Sequence, residues 1–292
     1  MIIMDQLKGL GTALITPFKV DGSVDYESLT RLLDTQLTGF VDYIVVLGTT
    51  GEAATMTEKE REEVRTFIRH YVNGRVPLVL GVGGNCTAAV CESLHTMDLS
   101  GFCAILSVCP YYNKPNQEGL YQHFFAVAEA SPIPVILYNV PGRTGVNLLP
   151  ETVMRIYHAH PGKIIGIKEA SGNVEQIKRL IALSQEPRVK SQEPLLVISG
   201  DDGIACEVME AGGAGLISVA SNAFPEDFYT IVHQKDQALQ ARYAEMIKLL
   251  FAEGNPVGIK AVLTQKGLIQ NYLRLPLVPA SQALEAKIAS LL

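Results

Sequence analysis

Much of what this chain lacks rules out a class of function. No apolar run reaches the length of a membrane span. The opening MIIMDQLKG carries too short an apolar run for a secretory signal, and Asp5 interrupts it. There is no basic block. The formal net charge is -6, and Tyr and Phe are scattered rather than interleaved with Arg or Lys, so nucleic acid is not an expected partner. Cysteine is scarce. The five present (Cys86, Cys91, Cys103, Cys109 and Cys206) are odd in number, form no CxxC, and in several cases sit inside apolar segments as small hydrophobes. A reduced, cytoplasmic protein without a membrane anchor is expected. Internal repeats, linkers and low-complexity segments are also missing. What is present is 292 residues that are 48% hydrophobic, enough for one large globular domain with room for an appendage.

Short apolar runs alternate with longer amphipathic segments. Strands are expected near residues 11–15, 43–48, 78–82, 104–108, 135–138, 164–168, 195–199 and 215–219. Helical patterns fall between them, near 26–38, 57–71, 87–100, 118–130, 150–158, 174–184 and 203–211. The clearest is 57–71, where Thr57 and Glu60 have capping-box spacing ahead of a charged periodic run. Alternating strands and helices imply an α/β fold with a parallel sheet. About eight strands in some 220 residues fit a closed (β/α)8 TIM barrel better than an open doubly wound sheet. After the eighth strand the alternation stops. One helix is expected over 225–251, broken by Gly254-Asn255-Pro256, with two more over 257–266 and 281–292. The expected organisation is a barrel over 1–224 and a C-terminal helical region over 225–292.

The segment IIGIKEASG, residues 164–172, is unusual because Lys168 ends an almost wholly apolar strand. Burying an unpaired ammonium is expensive, and desolvation favours the neutral amine, the form that attacks a ketone to give an imine. The plainer alternative is a lysine that snorkels to the strand end and pairs with Glu169. Lys163, ahead of the strand, and Lys260, in a late helix, read as lysines with ordinary surroundings. A barrel makes the alternatives testable, because its active site lies at the C-terminal ends of its strands. Those ends carry Thr49 and Thr50, Tyr111 and Tyr112, Tyr138 with Arg143, Lys168, and Gly200 followed by Asp201 and Asp202.

Other chemistries fit less well. Gly81-Val82-Gly83-Gly84 begins like a dinucleotide fingerprint, but Cys86 stands where its third glycine belongs. A phosphate site after strands seven and eight would face Asp201 and Asp202. The six histidines fall on helices or the loops between them and none ends a strand, so no metal site is expected. An amine nucleophile is the strongest candidate.

Four motifs then carry a resemblance. GTTGE at 48–52, PYYNKP at 110–115, YNVPGRTG at 138–145 and GIKEASG at 166–172 resemble the dihydrodipicolinate synthase (4-hydroxy-tetrahydrodipicolinate synthase) family of pyruvate-dependent class I aldolases. The match runs the length of the chain, down to Asn255-Pro256. The resemblance implies condensation of pyruvate with L-aspartate 4-semialdehyde, toward diaminopimelate and lysine. Lys168 would form the imine. Tyr138 would shuttle protons, linked through Thr49 to Tyr112, which in the family crosses from a neighbouring subunit. Thr49 and Thr50 would hold the pyruvate carboxylate and Arg143 that of the semialdehyde. Gly200 and Ile217 would line the pyruvate end. No cofactor or metal is implied, because the lysine is itself the electron sink.

Two alternatives stay beside it: another class I lyase, acting on sialic acid (N-acetylneuraminate) or a 2-keto-3-deoxy sugar acid, and a non-catalytic ligand-binding barrel. Arg143 speaks against the first, since sialic acid lyases lack it. The full Lys168, Tyr138, Thr49 and Tyr112 set speaks against the second. The family resemblance also implies at least a dimer, commonly a homotetramer built as a dimer of dimers. Regulated bacterial members bind L-lysine at the tight-dimer interface, and Tyr111, Asn85 and Ala54 match that site. Ala89 stands where those members place a glutamate, Ala53 replaces a serine, and Glu58 and Arg61 replace histidines. Little inhibition by lysine is therefore expected.

Overall fold

The computed structural model describes residues 2–186 and 193–292. Eight parallel strands close into a barrel: β1 (Gly9–Ala13), β2 (Tyr43–Val46), β3 (Leu78–Gly81), β4 (Ala104–Val108), β5 (Val135–Asn139), β6 (Ile164–Glu169), β7 (Leu196–Ser199) and β8 (Gly215–Ser218). Each pairs with the next, and β1 pairs with both β2 and β8, so the sheet has no edge. The expected (β/α)8 architecture is present, with β1 starting two residues before its expected position.

The strands read as apolar runs because both faces are covered. In β2, Tyr43 and Val45 point into the barrel while Ile44 and Val46 face the helices, and all four are buried. Inside, Tyr43, Val79, Leu106, Ile136 and Ile198 pack into a solid plug. The chemistry is thereby confined to the rim. Helix Glu58–Val72 starts as its spacing predicts. The Thr57 N–H donates to the Glu60 carboxylate at 2.9 Å, and the Glu60 N–H donates to the Thr57 hydroxyl at 3.3 Å.

The single helix expected over 225–251 is three: Pro225–Gln234, Gln237–Arg242 and Ala244–Phe251. Lys235 takes a left-handed φ of 54°, and the Asp236 side chain accepts from the Leu239 N–H at 2.9 Å, so one helix ends and another is capped within two residues. Pro225–Gln234 packs on β1 and β8 as the eighth helix of the ring. The barrel's own elements thus run past residue 224, where the sequence reading divides the chain. Beyond it, Ala244–Phe251, Val257–Gln265 and Gln282–Ala289 pack on one another. Among the described residues no helix is long and apolar enough to cross a membrane.

One expectation fails here. Lys260 does not have ordinary surroundings: it is 0% exposed, in a helix where every residue from Val257 to Leu263 is buried. A helix apolar all round lies inside the molecule, and a lysine within it goes inside too.

Candidate active site

The site is built on the β5–β6 pair. Val135 lies opposite Ile164, but the register then slips by one residue, so that Ile136 meets Gly166 and Tyr138 meets Lys168. Without that slip Tyr138 would face Ile167. The irregularity turns the Lys168 side chain inward at the rim, a use that bulges have beside active sites. Lys168 is 6% exposed, and its Nζ lies 4.6 Å from the centre of the Tyr138 ring.

Glu169, the partner an inert lysine would need, points the other way. Its carboxylate accepts from Asn139 Nδ2 at 2.9 Å, Gln176 Nε2 at 3.1 Å and the Ser171 N–H at 2.8 Å. Strand alternation enforces this, since neighbours in a strand face opposite sides. Gly200, after β7, leaves room for the lysine stem: a Cβ there would sit 3.0 Å from Lys168 Cε and 2.6 Å from Ala170 Cβ. Ile217 lies on β8 in the same interior cluster as Tyr138.

A second wall comes from the turn after β2. Thr49–Gly51 and Ala53–Thr55 form two short 3-10 turns joined at Glu52. Leu47 (φ 56°) and Glu52 (φ 54°), both left-handed and neither glycine, bracket the segment. Such residues cost roughly 1–2 kcal/mol each and persist only where their surroundings hold them. Thr50 is buried, and its hydroxyl accepts from Asn255 Nδ2 at 2.9 Å. Thr49 is exposed and lines a cavity of about 480 Å³ together with Tyr138, Val140 and Arg143. Arg143, on the short helix Pro141–Thr144, donates from Nη2 to the Asn255 carbonyl at 3.4 Å.

The structure thus brings Lys168, Tyr138 and Gly200 together on the rim, with Thr49 and Arg143 along an adjoining cavity. Tyr112 is apart from them. It is 88% exposed in a left-handed conformation (φ 73°), on a loop pinned by Asn113 Nδ2 to the Asn85 carbonyl at 2.9 Å and by Asn85 Nδ2 to the Tyr111 carbonyl at 3.2 Å. Asp202 is buried against the C-terminal end of β8. Burial pushes its carboxyl up to about 6, and it accepts from the Ser218 hydroxyl at 2.5 Å and the Val219 N–H at 3.1 Å. Among the described residues no group of three or more His, Cys, Asp or Glu is placed to hold a metal ion.

Sequence reasoning overlooked two residues. Asn255, read only as a helix breaker and a point of resemblance, touches both Thr50 and Arg143. Lys260 forms an ion pair of 2.5 Å with Glu52, both side chains being fully buried. The run VGIKAVL around Lys260 was the available signal, because a cation in a wholly apolar helical stretch must find an acid.

Residues 6–292 match the model of the dihydrodipicolinate synthetase family. The chain belongs to that family. It is 48% identical to the 4-hydroxy-tetrahydrodipicolinate synthase of Parabacteroides distasonis, over 98% of this chain and 96% of that one. Among solved structures it superposes on the dihydrodipicolinate synthase of Thermotoga maritima with a TM-score of 0.92 at 39% identity, covering 98% of this chain and 97% of the other. It also superposes on the enzyme of Acinetobacter baumannii, described as chloride-inhibited and complexed with pyruvate. That match has a TM-score of 0.90 at 38% identity, over 98% and 97% of the two chains. In this family setting, the four sequence motifs fall at the ends of β2, β4, β5 and β6, around the rim described above.

Proposed function

We propose that this chain is a 4-hydroxy-tetrahydrodipicolinate synthase, a lyase that joins pyruvate to L-aspartate 4-semialdehyde through an imine on Lys168. The observation that carries the proposal is the lysine's setting: a nearly buried amine beside the Tyr138 ring, with its neighbouring acid held on the opposite face of the strand. A relative bound to pyruvate by its description, and another named for the synthase activity, support the same reading.

The Lys168 amine attacks the ketone carbon, and loss of water leaves the imine. Its positive nitrogen takes up electrons as a methyl proton departs, giving an enamine without help from a cofactor. The enamine carbon then bonds to the aldehyde carbon of the semialdehyde, and the imine is released once the product nitrogen has closed the ring. Tyr138, directly opposite on β5, moves the protons. Thr49 and Thr50 meet the pyruvate carboxylate, with N–H groups of the turn supplying donors. Arg143, exposed along the cavity, meets the carboxylate of the semialdehyde with its planar fork.

Tyr112 completes the hydroxyl relay of a neighbouring subunit. Its exposure on a pinned, left-handed turn supports a role outside its own chain, and hence at least a dimer, with a homotetramer as the assembly. Five free cysteines support a cytoplasmic location. A lyase for sialic acid or a 2-keto-3-deoxy sugar acid would want hydroxyl partners where Arg143 offers a cation.

The test is turnover on candidate substrates. Purified protein given pyruvate and L-aspartate 4-semialdehyde should form the cyclic product, and should leave N-acetylneuraminate and 2-keto-3-deoxygluconate uncleaved. Cleavage of either sugar acid without condensation of the semialdehyde would overturn the assignment.

A further inference from the structure

The turn that carries Thr49 and Thr50 is held from outside the barrel. Three residues of the C-terminal helical region converge on it. Asn255 Nδ2 donates to the Thr50 hydroxyl at 2.9 Å. Lys260 Nζ pairs with the Glu52 carboxylate at 2.5 Å and also donates to the Tyr272 carbonyl at 3.0 Å. Arg274 uses its own backbone N–H, which donates to Glu52 at 3.2 Å, and its guanidinium, which donates to the Thr55 carbonyl at 3.1 Å and the Glu60 carboxylate at 3.0 Å. Lys260 and Arg274 both lie over the Phe18 ring, at 4.3 and 4.4 Å from its centre.

Two features separate this contact from an ordinary tie between packed regions. Glu52 is the joint between the two 3-10 turns and takes a left-handed conformation that a residue with a Cβ rarely adopts. Its carboxylate is fully buried, so it must find a cation, and Lys260 is the ion-pair partner it has among the described residues. The direction of the Glu52 side chain is therefore set by Lys260, and with it the path of the backbone from Gly48 to Ala53. Asn255 fixes the rotamer of Thr50 and, through its carbonyl, touches Arg143 at 3.4 Å. One short segment of the helical region thus reaches both carboxylate-binding groups of the site.

We infer that Lys260 and Asn255 are positioning residues, which hold the 48–52 turn in the geometry that receives the keto acid's carboxylate. This rests on the role given above to Thr49 and Thr50 and deepens it. A clasp that served stability alone would leave the affinity for pyruvate untouched when loosened. A positioning clasp would not, because donors moved by a fraction of an ångström lose their aim at the ligand.

The experiment is borohydride trapping of the pyruvate imine on Lys168 in the full-length protein, as a function of pyruvate concentration. The variants are Lys260→Met, Glu52→Gln and Asn255→Ala. We expect the pyruvate concentration for half-maximal trapping to rise about tenfold in each, while the fraction trapped at saturating pyruvate stays near that of the unaltered protein. Asn255→Ala removes one hydrogen bond at the edge of the clasp, so it carries the test if Lys260→Met does not fold. Variants that unfold at lower temperature yet trap at the unaltered half-saturation would overturn the inference. An unaltered protein that traps nothing on Lys168 would instead overturn the reading beneath it.

Discussion

Among the described residues two lysines are buried, and they have opposite fates. Lys168 ends β6 at the rim, 6% exposed, with an aromatic face beside it and Glu169 directed away. Lys260 lies in a helix interior, 0% exposed, gripped by Glu52 and the Tyr272 carbonyl. Burial lowers Lys260 from its ordinary 10.5 to about 8, with Glu52 pulling in the other direction. Burial by itself therefore does not make a nucleophile. A lysine that reacts needs an approach for its substrate and freedom from a competing carboxylate, and Lys260 has neither. The region around Lys260 spends its charge on architecture.

The largest effect that bears on this contrast is loss of the rim lysine. Lys168→Ala should keep its fold and lose at least about 1,000-fold in kcat, roughly 4 kcal/mol of barrier, because Lys260 is sealed away and cannot substitute. Steady-state assays with circular dichroism as the fold control check this.

The next effect falls on stability instead. Lys260→Met leaves the Glu52 carboxylate buried and alone, which should cost about 3–5 kcal/mol in denaturant unfolding at pH 7. Removing the charge on both sides, by adding Glu52→Gln, should recover much of that loss. The same pair has a pH signature. Between about 8 and 10.5 the unfolded chain holds a proton on residue 260 that the folded chain has given up. Unfolding then takes up protons, so this group makes stability rise with pH across that window, by at most about 1.4 kcal/mol per unit. The slope should be present in the unaltered protein and missing from Lys260→Met, with other groups cancelling in the comparison.

Arg143 sharpens the contrast at the substrate end. It is exposed and only lightly tethered, so Arg143→Ala should spare the fold. It should reduce kcat/KM for the semialdehyde by about 2 kcal/mol, roughly 30-fold, with pyruvate trapping on Lys168 nearly unchanged. Equal damage to both substrates would make Arg143 a structural residue.

The smallest expected effect is that of L-lysine as a ligand. Both oxygens of Glu58 are already occupied, one by Arg61 at 2.6 Å and one by Arg65 at 3.1 Å, and Ala89 offers no carboxylate. Among the described residues lining the cavity that these residues share, no acid is left free for an ammonium group. Titration of lysine against turnover should give half-inhibition above about 1 mM, weaker than roughly 4 kcal/mol of binding.

The pattern of what could be read in advance follows from the range of the interactions involved. Strand runs and the Thr57–Glu60 cap are local, and they came out of the sequence within a residue or two. The break at Lys235-Asp236 is local as well, but its left-handed turn used no glycine and so left no signal. The rim residues could be gathered because strand ends in a barrel share one face. What could not be read depends on distant partners. The slip that sets Tyr138 opposite Lys168 belongs to the pairing of two strands, not to either one. The ion pair of Glu52 with Lys260 and the reach of Asn255 to Thr50 join segments more than 200 residues apart, and no periodicity records them. The exposure of Tyr112 likewise depends on how the loop after β4 is pinned to Asn85.

The contrast between the two lysines is that, under the proposed function, chemistry falls to the free one and architecture to the paired one. Its most direct test is to treat the protein with pyruvate and borohydride, digest it, and locate the added mass. The expected result is a single modified residue, Lys168, with Lys260 and Lys163 unmodified. An adduct on Lys260 or Lys163, or a protein that takes up no pyruvate at all, would contradict it.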